Sequence, residues 1–151
     1  MTDRWQPKET STHQDHVIAH VLGATVLGYF VFDEALHILL DIGFVWTIYV
    51  DGQMMLLPQV VATGELETDA ATRSELNREI ELLGKEGQLA ESLERITPAP
   101  VECVIAEVQF FADGDRRRLI LTGEKANLMI ETSLETAEIQ VSADDQWPTQ
   151  K

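Results

Sequence analysis

The sequence predicts an α+β fold. An antiparallel sheet arrangement built from two meanders, at about residues 24–57 and 102–141, carries a helical segment at about 67–96 on one face, with a short helix at 13–22. Three observations predict this. Short apolar runs rich in aromatic and β-branched residues recur between acidic or glycine turns in both halves of the chain. Between them, from 67 to 96, the apolar period changes to that of a helix. Pro58 and the Thr97-Pro98-Ala99-Pro100 segment punctuate the changes, because proline cannot donate to a ladder and restricts the residue before it.

Residues 1–12 are polar and read as a disordered lead-in. Asp15 is the expected N-cap of the first helix. Val17, Ile18, Val21 and Leu22 form its apolar face, and Gly23 ends it. Extended runs are expected at 27–32, 35–41 and 44–50. Asp51-Gly52 then makes the strongest turn signal in the chain. A two-residue loop there would pair Val50 with Gln53 and set Tyr49 opposite Met54. Residues 44–50 are apolar on both faces, with Phe44, Trp46, Ile48 and Val50 on one and Val45, Thr47 and Tyr49 on the other. Such a sheet has to be covered twice. One helical segment covers one face, so the other needs the C-terminal strands or a second copy of the chain in a homodimer.

In the 67–96 segment, Leu76, Ile80, Leu83, Leu89, Leu93 and Ile96 make the apolar stripe, interrupted by Gly84 and Gly87. The second meander follows at 102–111, 117–122, 128–134 and 137–141. Leu128, Ile130, Thr132 and Leu134 alternate there with Met129, Glu131 and Ser133, which predicts one face in water. The organisation is therefore one domain over 13–142, with a flexible acidic tail at 143–151.

Composition limits function. The chain has 151 residues, 11 Lys+Arg against 26 Asp+Glu, and a formal net charge of −15. A nucleic-acid reader needs clustered cations to neutralise phosphates, so nucleic acid is not the expected partner. Anionic lipid is disfavoured for the same reason. The longest run free of Asp, Glu, Lys and Arg, residues 16–32, falls short of the about 20 apolar residues of a spanning helix. The start of the chain lacks the apolar core of a secretory signal. A cytoplasmic protein is expected, its single cysteine, Cys103, reduced and buried.

Candidate chemistry falls in two places. His13, His16 and His20, if helical, lie within a sector of about 60°, and the i, i+4 pair has the spacing by which helical histidines share a metal. These three are the candidate metal ligands, although no remote fourth ligand is evident. His37 and Asp41 share a strand face, where a carboxylate can orient an imidazole as a general base. Four strand residues span about 13 Å, however, too far for a direct bond. Arg116-Arg117-Arg118 is the one dense positive patch, with Glu107 or the helix glutamates as candidate partners.

The expected function is a non-enzymatic acidic binding or regulatory module that meets a protein partner, a basic one by charge complementarity. The alternative is a small-ligand-binding protein or enzyme. Its pocket would lie between the 67–96 helix and the first meander, lined by His37, Asp41, Tyr49 and Arg117. No cofactor is expected in either case.

Overall fold

The computed structural model describes residues 5–32, 34–66, 68–83, 95–98, 103–123 and 126–144. The first meander gives β2 (Val26–Phe32), β3 (Ala35–Leu40), β4 (Phe44–Tyr49) and β5 (Met54–Pro58). The second gives β7 (Ile105–Asp113), β8 (Arg116–Gly123), β9 (Asn127–Ser133) and β10 (Ile139–Asp144). Two very short strands, β1 (Gln6–Pro7) and β6 (Thr97–Pro98), extend the edges. The result is two antiparallel sheets, ordered β5-β4-β3-β2-β6 and β1-β7-β8-β9-β10. They are joined at a seam. Gly23 N–H donates to Ile105 O at 2.8 Å, Ile105 N–H to Ala24 O and Val26 N–H to Cys103 O, each at 2.9 Å.

The two-sided apolarity of the first meander is resolved within one chain. Leu36, Ile38, Leu40, Trp46, Ile48 and Met54 point into a core shared with Phe110, Leu119, Leu121, Leu128 and Ile130 of the second sheet. Phe30, Leu39 and Val45, on the opposite face, pack against Ala62, Leu66, Leu76, Ile80 and Ile96. Those come from α2 (Gln59–Gly64), α3 (Ala70–Leu83) and the segments beside them. The C-terminal strands thus cover one face and the helices the other. In β9 the expected alternation holds, with Leu128, Ile130 and Thr132 buried, whereas Leu134 lies in the following turn and is exposed.

Several boundaries differ from the sequence reading. The first helix, α1 (Thr12–Val21), is capped by Ser11 and not by Asp15. Ser11 and Gln14 form a reciprocal capping box, which satisfies two donors that Asp15 cannot reach from the first turn. The lead-in does not extend to residue 12. Gln6 and Pro7 pair with Ala112 and Phe111 on the edge of β7, and Lys8 N–H donates to Phe110 O. α2 follows directly on Pro58, in a stretch to which no element was assigned from the sequence. Of the 67–96 helix, 70–83 is helical as α3, residues 95–98 are not, and Gly84, Gly87, Leu89 and Leu93 lie outside the described residues. Of the expected tail, 143–144 complete β10, and the rest lies outside the described residues.

Residues 95–96 are anchored by a buried carboxylate. Glu79, with 0% exposure, accepts from Arg95 N–H and Ile96 N–H, both at 3.0 Å. A buried carboxyl group is tolerated only where such donors compensate its lost hydration. This bond holds Ile96 in the helix-side core.

The β4–β5 turn is three residues long, not two. Ile48 pairs with Met54, Tyr49 N–H donates to Gln53 O, and Gly52 N–H donates to Tyr49 O. Gly52 takes the left-handed conformation, φ +92°, as in a type I turn closed by a glycine bulge. The extra residue sets the whole face assignment of β5, since a one-residue slip inverts every side chain. A Cβ at Gly52 would also stand 2.4 Å from Phe110 Cζ, whose ring is held in the core. Gly52→Ala is therefore expected to cost more than about 1 kcal/mol, from positive φ and steric overlap together, measured as a lowered denaturant midpoint.

Candidate functional site

α1 turns Gln14, Val17 and Val21 inward. Gln14 Nε2 donates to Gly52 O at 2.8 Å, which pins the start of the helix to the β4–β5 turn. The three histidines occupy the outward flank. His13, His16 and His20 line one groove with Val17, Phe44 and Leu56, with a volume of about 270 Å³. The His13 Nε2 lies 2.9 Å from Met54 O on the edge strand β5, and the His20 Nδ1 lies 2.8 Å from His16 O. A carbonyl oxygen only accepts, so each of those ring nitrogens carries the proton. Among the described residues no group of three or more His, Cys, Asp or Glu side chains is placed to hold a metal ion. The three-histidine metal site is therefore not assembled. Helical spacing brought the three rings to one groove, with the His13 ring bonded to the sheet edge and the His20 ring to its own helix.

The second candidate set is dispersed. His37 and Tyr49 lie on the helix-side face of the first sheet, on β3 and β4. His37 is buried, stacks on its cross-strand partner Phe30 with ring centroids 4.9 Å apart, and bonds Thr47 Oγ1 at 3.0 Å. The Tyr49 hydroxyl donates to Met55 Sδ at 3.1 Å. Asp41 sits just beyond the other end of β3, where its carboxylate accepts from Thr25 N–H at 3.0 Å. Arg117 is on β8 in the other sheet, with Nη1 donating to Gly114 O and Arg116 O at 2.9 Å. The structure does not bring these four side chains to one pocket. Alternation places a residue on a face, but the layer in which that face ends up is a tertiary outcome.

The arginine run divides as strand alternation requires. Arg116 and Arg118 share the outer face of the second sheet, both ion-paired to Glu131. Their guanidinium carbons stand 4.9 and 4.2 Å from the centre of the Trp5 ring. The partner is thus Glu131, directly opposite Arg118 in the β8–β9 register, and not Glu107 or the helix glutamates. Neither Trp5 nor Glu131 was expected as a partner of these arginines. The signal for Glu131 was present in its place on the next strand, but using it required the hairpin register.

Acidic residues gather at the turn end of the molecule. Leu134 N–H donates to Asp115 O, tying the β7–β8 and β9–β10 turns. Thr132 Oγ1 donates to Val50 O at 2.6 Å, tying β9 to the β4–β5 turn. These links bring Asp51, Asp113, Asp115, Glu135 and Glu138 to one end. The nearby arginines face the protein's own acceptors.

Compared with known protein families, curated proteins and solved structures, the chain shows no match.

Among the described residues, burial sets the protonation behaviour of two groups. Burial raises the Cys103 thiol above its ordinary 9.0 and the Tyr29 phenol above its ordinary 10.0. Each holds its proton more tightly folded than unfolded, so their contribution to stability is intact below about pH 9 and falls as pH rises beyond it. At 1% exposure, Cys103 is expected to resist iodoacetamide at pH 8 in the folded protein and to react on unfolding, read by intact mass.

Proposed function

We propose that the chain is a non-enzymatic acidic binding module for a basic protein partner. The observation that carries this reading is the acidic turn end. Three hairpin turns tied by hydrogen bonds present Asp51, Asp113, Asp115, Glu135 and Glu138. The cations nearest to them are engaged internally: Arg116 and Arg118 by Glu131 and Trp5, and Arg117 by backbone carbonyls. Elsewhere Arg95 is paired with Glu75, and Arg73 donates to Leu66 O and Thr68 O. Guanidinium groups turned onto the protein's own acceptors leave its surplus of carboxylates to face solvent. A one-signed surface of this kind speeds encounter with an oppositely charged partner and sets its orientation. Rigid, mutually tied turns add that the charges are held in a fixed pattern before the partner arrives, which lowers the ordering cost of binding.

The test uses a lysine-rich peptide as the probe. Affinity is expected to fall steeply between low and physiological salt, as screening shortens the Debye length from about 30 Å at 0.01 M to about 8 Å. Asp115→Asn/Glu135→Gln/Glu138→Gln is expected to weaken binding several-fold more than Glu65→Gln/Glu81→Gln/Glu107→Gln, which removes the same charge elsewhere on exposed surface. Equal losses from the two triple variants would mean a general charge effect and would overturn the assignment of the turn end.

A further inference from the structure

In the histidine groove one imidazole has the place of its lone pair fixed by a hydrogen bond. His20 Nδ1 donates to His16 O at 2.8 Å, so in the neutral ring Nε2 carries the unshared pair. A histidine whose Nδ1–H is held by a backbone carbonyl has the arrangement by which metal-ligating imidazoles are oriented. His16 stands one helical turn before it, on the same groove wall, and residues four apart on a helix are neighbours. The groove floor of Val17, Phe44 and Leu56 is apolar and supplies no competing acceptor side chain. Asp15, the carboxylate beside His16 in sequence, is engaged by the Thr10 hydroxyl. The net charge of −15 further favours a cation over an anion.

We infer that His16 and His20 form a two-imidazole site for a borderline divalent transition metal, such as zinc or nickel, with solvent completing the coordination shell. Imidazole nitrogen suits these metals, whereas calcium and magnesium require oxygen ligands. Among the described residues no group of three His, Cys, Asp or Glu side chains is placed to hold a metal ion, so His13 is left out of this assignment. Its Nε2–H serves Met54 O at 2.9 Å and fastens α1 to the edge of β5.

The experiment is calorimetric titration of untagged protein with zinc and with nickel salts, with calcium as control. One equivalent of zinc or nickel is expected to bind, and calcium none. His16→Ala and His20→Ala are each expected to weaken binding about tenfold or more, a loss of about 1.4 kcal/mol. Both positions are exposed, so circular dichroism is expected to be unchanged. His13→Ala is expected to leave the metal affinity within about threefold. Nitrogen-15 spectra of the imidazoles give a readout independent of affinity: zinc is expected to move the His20 Nε2 resonance and leave Nδ1 protonated. Absence of stoichiometric binding would overturn the site, as would binding that survives in the His16→Ala/His20→Ala double variant. A loss in His13→Ala equal to that in His20→Ala would overturn the two-ligand assignment.

Discussion

The first sheet has apolar side chains on both faces, and the architecture follows from the need to keep both from water. Ile38 and Trp46 have 0% exposure toward the second sheet, and Leu39 has 1% toward the helices. Burying apolar surface contributes on the order of 25 cal/mol per Å², so leaving either face of a four-strand meander bare would be costly. The chain meets this with three layers. It needs a second meander long enough to cover one face and a helical insert placed between the meanders to cover the other. The chain order of meander, helices, meander is the linear record of that layering.

Layering creates polar obligations that the fold meets locally. The open side of the sandwich, beside β5, is closed by α1, whose Gln14 and His13 bond Gly52 O and Met54 O. Strand edges invite pairing with other chains. On β5, α1 and Pro58 limit that exposure. Where the chain returns from α3 to the sheet, the Glu79 carboxylate accepts the N–H groups of residues 95 and 96. The surfaces proposed for function fall at the boundaries of this scheme. The acidic turns close one end of the strands, and the histidine groove lies where α1 meets the edge of the first sheet.

Much of the secondary structure was legible because it depends on short-range rules. Apolar runs between turn residues found β2 to β5 and β7 to β10, and Gly23 and Pro58 marked ends. The misassignments share one physical origin, which is competition between local alternatives of similar energy. Ser11 and Asp15 are both good caps, and the reciprocal bond with Gln14 decides for Ser11. Asp51-Gly52 suits a two-residue or a three-residue loop, and burial of Met54 against the second sheet selects the longer one. Candidate sites were less legible. His16 and His20 share a groove because helical geometry alone places them together. His37, Asp41, Tyr49 and Arg117 do not converge, because their meeting depended on how separate strands and sheets stack.

By itself the sequence determined the α+β class, the two meanders, the need for cover on both faces of the first, and the acid surplus. Each follows from side-chain chemistry and a period of two or 3.6 residues, which no distant contact alters. Only the tertiary structure decided that one chain supplies both covers, that Trp5 lies against Arg116 and Arg118, and that separate turns assemble into one acidic end. Those outcomes depend on register and on contacts across long stretches of chain, such as Thr132 with Val50. Local pattern leaves many such pairings open, and packing of the whole core selects among them.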